Sequence, residues 1–437
     1  MLIAALFASH PAQGQVADAP DGMVAQIPVN YTEAKVGNFT LPDVLKMFDG
    51  KAVTDARMWT EQRRPELLKY YQTEIYGKIP VTAPKVFWQV VSTDSNALGG
   101  AAVMKKLAGH MGAPDGPAFN VTLYTPAKAA KPVPVLIDLS LFPPGGPARG
   151  RAPGASTATG TAPVTGTAPA VTVAAGASVR GPAGPPRGAP IELVIAHGFG
   201  LAIIYHAEIE TDASGMPNVN IVRKIALAPG QTAPASDEWG TIAAWAWGIS
   251  RFVDYLETDK DVDARRIAIT GASRGGKTVL WEAASEPRIA LCIASCSGEG
   301  GASLARRYYG ETIAHLVAPT RYPYQFAGNY AKYAKDPNTL AVDTHMLIAL
   351  VAPRPLLLQT GNTDRWSDPK GEFEAATAAT PVYQLLGKQG LDSPFPQASQ
   401  LVGHDLSYYM HDGGHGVIPS DWDIYLKFME AHFAQTP

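Results

Sequence analysis

Gly271-Ala272-Ser273-Arg274-Gly275 has the form G-x-S-x-G, in which a serine on a tight strand-to-helix turn presents its hydroxyl as a nucleophile. Extended to Thr278, the same stretch spells G-x-x-x-x-G-K-[ST], the loop whose backbone amides cradle phosphates. Both patterns need a short apolar strand before and a helix after, and residues 267–269 and 278–284 supply them. Taken locally, nucleophile and phosphate cradle are equally good readings.

The rest of the chain separates them. A phosphate-binding loop of this kind needs a later strand that ends in an acidic residue to hold magnesium. The apolar run 289–295 instead ends in Cys296-Ser297-Gly298, and Asp364 follows the run 355–359 only after a loop. Several strand-like segments also precede the turn, where a phosphate loop usually opens its domain. A serine hydrolase of this type orders its residues Ser, acid, His, with the last two on loops beyond late strands. Asp364 lies beyond 355–359, and His415 lies beyond the run 406–410 and ahead of a closing helical stretch, 420–433. Alone, each would be an ordinary surface aspartate and loop histidine; order and spacing together favour catalysis. His404 is a rival base, but it precedes the strand. His404, His411 and His415 with Asp405 and Asp412 match no standard ligand spacing, so no metal is expected.

The elements that must position these residues alternate. Runs 133–139, 202–206, 289–295, 355–359 and 406–410 read as buried strands, and 239–256 reads as a helix with a broad apolar face. Segments 86–91 and 119–124 alternate and suit antiparallel strands near a sheet edge. Residues 302–343 are loop-rich. The pattern predicts an α/β protein with a mostly parallel central sheet and helices on both faces, a three-layer sandwich. From about 143 to 190 the chain is almost entirely Ala, Gly, Pro, Thr, Val and Ser, with near-repeats at Thr159 and Thr165. Such a segment cannot offset its ordering entropy and is expected to be a disordered insertion within a single domain, 21–437. It begins where an oxyanion-hole loop is expected, and is predicted to hang near the mouth of the site without forming it.

Across 437 residues the formal charge is −3, so nothing points to nucleic acid. No apolar run reaches the roughly 18 residues that span a bilayer. Residues 1–9 resemble the apolar part of a secretory signal, without the usual basic residues before it. A signal peptide or its remnant over 1–20, and a secreted or periplasmic, monomeric protein, are the expectations. Cys292 and Cys296 would lie about 13 Å apart along one strand, too far for a disulfide, and are expected free and buried.

At the elbow the sequence resembles the glucuronoyl esterases of carbohydrate esterase family 15, whose elbow reads G-x-S-R-x-G-K; Gly271 to Lys277 matches it at every fixed position. The likeness continues through Trp59, Arg63-Arg64-Pro65-Glu66, Tyr76 to Pro80, Tyr309 to Thr312, Asp343 to Leu347, Asn362 to Trp366 and Gly414-His415-Gly416. The 143–190 insertion is not part of it. The resemblance implies an α/β-hydrolase fold and a serine esterase with no cofactor. It would cleave the 4-O-methyl-glucuronoyl ester between glucuronoxylan and lignin. It further implies Ser273 as nucleophile, His415 as base, Arg274 as oxyanion stabiliser, and Lys277, Glu311 and Trp366 as sugar contacts. Many members place the triad acid directly after the strand that follows the elbow, where Cys296 stands here. Some place it after the next strand, which implies Asp364, with Glu299 as the fallback. A broader carboxylesterase or acetyl xylan esterase is the alternative activity, and a non-catalytic carbohydrate-binding relative a further one.

Overall fold

The computed structural model describes residues 16–143, 188–212 and 219–434. Most of the expected leader and insertion therefore lies outside the described residues. Gly22–Val24 (β1) and Ile27–Val29 (β2) form a small hairpin. Ten strands build the main sheet: Val86–Asn96 (β3), Ala102–Met111 (β4), Ala118–Pro126 (β5), Val133–Ser140 (β6), Gly200–Tyr205 (β7), Val262–Ala272 (β8), Ile289–Ser295 (β9), Leu356–Gly361 (β10), Leu401–Gly403 (β11) and Leu406–His411 (β12). Their order is β11-β12-β10-β9-β8-β6-β7-β5-β4-β3.

The six strands β7, β6, β8, β9, β10 and β12 run parallel, and β3, β4, β5 and β11 pair antiparallel at the two sides. The expected parallel core is present, but the sheet is more mixed than the sequence pattern suggests. β4 and β11 have no clean alternation of their own. β4 is a strand because β3 and β5 pair with it on both sides. β6 and β7, which flank the low-complexity segment, are direct neighbours in one sheet.

The packing helices are Arg64–Glu74 (α1), Ile191–Ala196 (α2), Thr241–Leu256 (α3), Arg274–Ser285 (α4), Thr344–Val351 (α5), Pro369–Leu385 (α6) and Asp421–Phe433 (α7). Strand alternation decides which face each one covers. Ile137, Ile267, Ile269, Cys292 and Leu358 turn toward α3, α4, α5 and α6 in the larger core. Leu136, Ala268, Leu291, Ile293 and Leu357 turn the other way, against α2 and α7. The result is the three-layer α/β-hydrolase arrangement. Among the described residues no helix is long and apolar enough to cross a membrane.

Two glycines let α4 sit directly on the sheet. A Cβ at Gly271 would lie 2.7 Å from the Gly275 carbonyl oxygen, and one at Gly276 would lie 2.5 Å from the Ser295 carbonyl oxygen. Both neighbours are backbone and have nowhere to go. Gly276→Ala is therefore expected to destabilise the fold by about 1–3 kcal/mol, as overpacking does; an unchanged melting temperature in thermal denaturation would contradict this close packing.

Candidate active site

β8 ends at the elbow. Ser273 has φ 58° and ψ −124°, left-handed backbone that a non-glycine residue adopts only under constraint. Its N–H donates to the Ser295 carbonyl of β9 at 2.8 Å, and its carbonyl accepts from Lys277 N–H at 3.0 Å, starting α4. The first amides of a helix have no intrahelical acceptor and carry partial positive charge, so the turn offers donors beside the serine.

β10 and β12 carry the other two residues. Asp364 follows β10 and caps a single 3-10 turn, Arg365–Ser367. His415 lies in the loop between β12 and α7. Asp364 Oδ2 accepts from His415 Nδ1 at 2.7 Å, so Nε2 is the ring nitrogen left to face a hydroxyl. Asp364 is 4% exposed, whereas the His415 side chain is 43% exposed, open to substrate. Burial alone would raise the Asp364 pKa, but its bond to His415 holds it below the ordinary value. Burial likewise disfavours the His415 imidazolium, and the Asp364 carboxylate outweighs it, so the histidine stands above its usual 6.5.

The two loops are laced together by Asn362. Its N–H donates to the His411 carbonyl at 2.9 Å and its Nδ2 to Asp412 at 2.8 Å, while its Oδ1 accepts from Gly413 N–H at 2.9 Å. Thr363 N–H donates to the Gly413 carbonyl at 2.9 Å. The elbow is tied in through Cys296: the Gly416 N–H reaches its Sγ at 3.3 Å. Cys296 directly follows Ser295, the acceptor of the Ser273 amide, so elbow, cysteine and histidine loop form one run of contacts. Cys296 is fully buried with φ 46°, and burial pushes its thiol well up, so it adds no charge beside Asp364. Both cysteines are free and buried.

Arg274 points away from the helix axis, with its guanidinium paired to Asp212 and stacked 4.7 Å over the Tyr322 ring. Lys277 is 5% exposed, and its ammonium reaches three acceptors: the Ser297 and Glu299 carbonyls, each at 2.7 Å, and Glu311 Oε2 at 3.1 Å. An ammonium has three protons, so all are engaged within the protein. Glu311 also accepts from Arg321 at 3.0 Å, and its N–H donates to the Trp366 carbonyl at 2.9 Å. The half-buried Trp366 ring has the Arg321 guanidinium 5.0 Å above it and the His315 ring against its edge. Arg321 and Tyr322 carry no motif of their own, and Asn362, though part of the family-like segment 362–366, shows its bracing role only through tertiary proximity.

Glu299 is not beside His415. It accepts from Tyr330 O–H at 2.9 Å, and burial first, then the Asp343 charge, pushes its carboxyl up to about 8. The clustered histidines separate onto different carboxylates. His411 bonds Asp421 at 2.9 Å in the core, and His404 lies 3.4 Å from Asp405 at the far end of β12. Asp405 also has the Lys388 ammonium at 3.9 Å and His432 at 4.0 Å.

A family profile described as "Glucuronyl esterase, fungi" matches residues 233–387, the elbow and Asp364 included. The chain is 38% identical over 408 residues to "Carbohydrate esterase MZ0003" of an unknown prokaryotic organism, covering 92% of both proteins. A solved glucuronoyl esterase from Solibacter usitatus superposes with TM-score 0.78 at 40% identity, over 92% of this chain and all of that one. A CE15 esterase from a marine bacterial metagenome, described as promiscuous, gives 0.77 at 36%, again over 92% of this chain and all of that one. This chain belongs to carbohydrate esterase family 15. It is an esterase with the α/β-hydrolase fold. Cys296 stands directly after β9, and the carboxylate bonded to His415 comes from beyond β10.

Asparagine at 364 could donate to Nδ1 and so favour the tautomer that places the remaining proton on Nε2, where it cannot act as a base. Asp364→Asn is expected to lower kcat on the order of 10⁴-fold. Losing the carboxylate also lowers the His415 pKa, so the acid limb of the residual rate should move to lower pH. Glu299→Gln should leave both nearly unchanged. A pH–rate series that ranks the two variants the other way round makes Glu299 the acid.

Proposed function

We propose that this chain hydrolyses 4-O-methyl-glucuronoyl esters, the linkages between glucuronoxylan and lignin alcohols, through a Ser273–His415–Asp364 triad. The observation that carries the reading is the 2.7 Å Asp364–His415 bond on loops tied by Cys296 to the strained elbow at Ser273. The names of the relatives support the substrate class. Besides the solved esterases, a "4-O-methyl-glucuronoyl methylesterase" of Wolfiporia cocos is 37% identical over 153 residues, 33% of this chain and 38% of that protein.

In this mechanism His415 Nε2 takes the proton as Ser273 Oγ attacks the ester carbonyl carbon. The tetrahedral oxyanion is met by amides at the start of α4 and by the Arg274 guanidinium. Collapse breaks the bond to the alcohol, which leaves with the proton from His415. Water then attacks the acyl-serine, His415 again taking and returning a proton, and glucuronate departs. No metal or redox cofactor enters any step.

Glu311 and Trp366 form the sugar side of the site. A carboxylate accepting two hydrogen bonds keeps lone pairs for a sugar hydroxyl, and the indole offers an apolar face. Lys277, spent on internal acceptors in this state, fixes Glu311 and the loop after β9; contact with a hydroxyl would require it to give up one of them. Polymeric substrates are met outside the cytoplasm, which fits a secreted or periplasmic monomer. A broader carboxylesterase is the second reading, favoured by the promiscuity ascribed to the marine relative.

The test compares kcat/KM on benzyl glucuronate and on an acetylated sugar. The wild type should prefer the glucuronate at least about tenfold, and Ser273→Ala should lose at least about 10⁴-fold on both. Equal rates on the two esters would leave the broader esterase standing; full activity in the alanine variant would remove Ser273 as nucleophile.

A further inference from the structure

We propose that Asp212 is a positioning residue, whose carboxylate aims the Arg274 guanidinium at the oxygen of the reacting ester. The proposal rests on the reading of Arg274 as an oxyanion-stabilising group, and it assigns a role to a residue that neither the motif nor the triad includes.

Asp212 lies beyond β7, on a segment with no regular structure and nothing in its sequence to mark it. Its side chain is 8% exposed, which is costly for a carboxylate without partners. Among the described residues three side chains donate to it and a fourth lies close. Oδ2 accepts from Arg274 Nη1, and Oδ1 accepts from Tyr324 O–H at 2.9 Å and from Gln325 Nε2 at 3.2 Å. His206 Nε2 lies 3.5 Å from Oδ2, and the other nitrogen of that ring donates to the Ser140 carbonyl at 2.9 Å. These partners come from three separate places: the tip of β7, the 3-10 turn Pro323–Gln325 and the first residue of α4. His206 is itself fixed by the end of β6 and by the Trp245 ring, 4.7 Å away and edge-on. Burial opposes ionisation of Asp212, but the neighbouring His206 ring and then the Arg274 charge hold its carboxyl far below the ordinary range.

The consequence falls on Arg274. Its side chain is 28% exposed, long and jointed, and nothing in the helix fixes where its head lies. Asp212 holds one edge, and the Tyr322 ring, 4.7 Å from the guanidinium carbon, covers one face. A guanidinium is a rigid planar fork with five donors. Gripping one edge and one face therefore fixes the direction in which the remaining N–H groups point. Oxyanion stabilisation depends on donors being in place before charge develops. A displacement of about 1 Å at such a group can cost roughly 100-fold in rate. The ground state gains little from this aim, because a neutral ester carbonyl is a weaker acceptor than the oxyanion.

The test is a double-mutant cycle on benzyl glucuronate with Arg274→Ala, Asp212→Asn and both together. Arg274→Ala should lower kcat about 10²–10³-fold. Asp212→Asn, close in shape but without the charge, should lower kcat about 10- to 100-fold while KM moves less than about threefold. In the Arg274→Ala background the same change should cost less than about twofold. A loss of equal size in both backgrounds would mean that Asp212 supports the fold independently of Arg274 and overturns the proposal, as would full kcat in Asp212→Asn. Wild-type kcat in Arg274→Ala would instead sink the oxyanion reading itself, and the proposal with it. If the asparagine variant does not fold, Asp212→Glu carries the same cycle, since it keeps the charge and moves it by one methylene.

Discussion

The structure depends on one constrained backbone, Ser273 held at φ 58° between the end of β8 and the start of α4. Such a conformation costs on the order of 1–3 kcal/mol and persists only where the surroundings over-determine it. Here they do. The Ser273 amide is bonded to β9, its carbonyl opens the helix, and glycines 271 and 276 let helix and sheet approach without a Cβ between them. From the other side, Trp281 of α4 stacks 4.4 Å from Tyr76, whose hydroxyl donates to the Gly300 carbonyl in the loop after β9. The strain of the elbow is thus carried by packed backbone and aromatic rings rather than by the catalytic groups.

With Ser273, the proposed nucleophile, fixed at the end of β8, the proposed base and acid must come from strands on the same side of the sheet. β9, β10 and β12 follow β8 in order, so their C-terminal loops lie side by side. A carboxylate reaching the histidine could leave from β9 or from β10. In this chain the β9 position is a thiol that burial keeps neutral, and it serves as a hydrogen-bonding post between Ser295 and Gly416. A second carboxylate there would face Asp364 in a dry setting, and one of the two would have to take up a proton. Cys296 avoids that conflict, which is a physical reason for a cysteine at this position.

What was legible in the sequence is what local patterns encode. The G-x-S-x-G turn, the parallel strands and the order Ser273, Asp364, His415 could all be read because each depends on a few neighbouring residues. β4 was not legible, since its mixed polarity becomes a strand only between two partners, and β11 is three residues long. Arg274, Lys277 and Glu311 were nameable, but their states were not. A lysine one turn beyond the serine looks free to meet substrate; in the fold it is sealed against two carbonyls and a carboxylate. Asp212 could not be read at all, because it has no partner close in sequence that gives it meaning, and Asn362 stood in a recognisable segment without any sign of the loop it braces.

Those pairings bear on how the site can turn over. The cations around the elbow each have a carboxylate: Arg274 with Asp212, Lys277 and Arg321 with Glu311, His415 with Asp364 once it is protonated. The proposed substrate is a neutral ester, and its product is an anion released beside Arg274. An unpaired guanidinium and ammonium in a half-buried cleft would hold that anion and slow its release. With the charges balanced beforehand, attraction for the anion at rest is modest. In the proposed mechanism the strongest electrostatic match then arises during reaction, when His415 becomes an imidazolium and the carbonyl oxygen an oxyanion. Interactions that strengthen only at that point raise kcat rather than tightening binding of substrate or product.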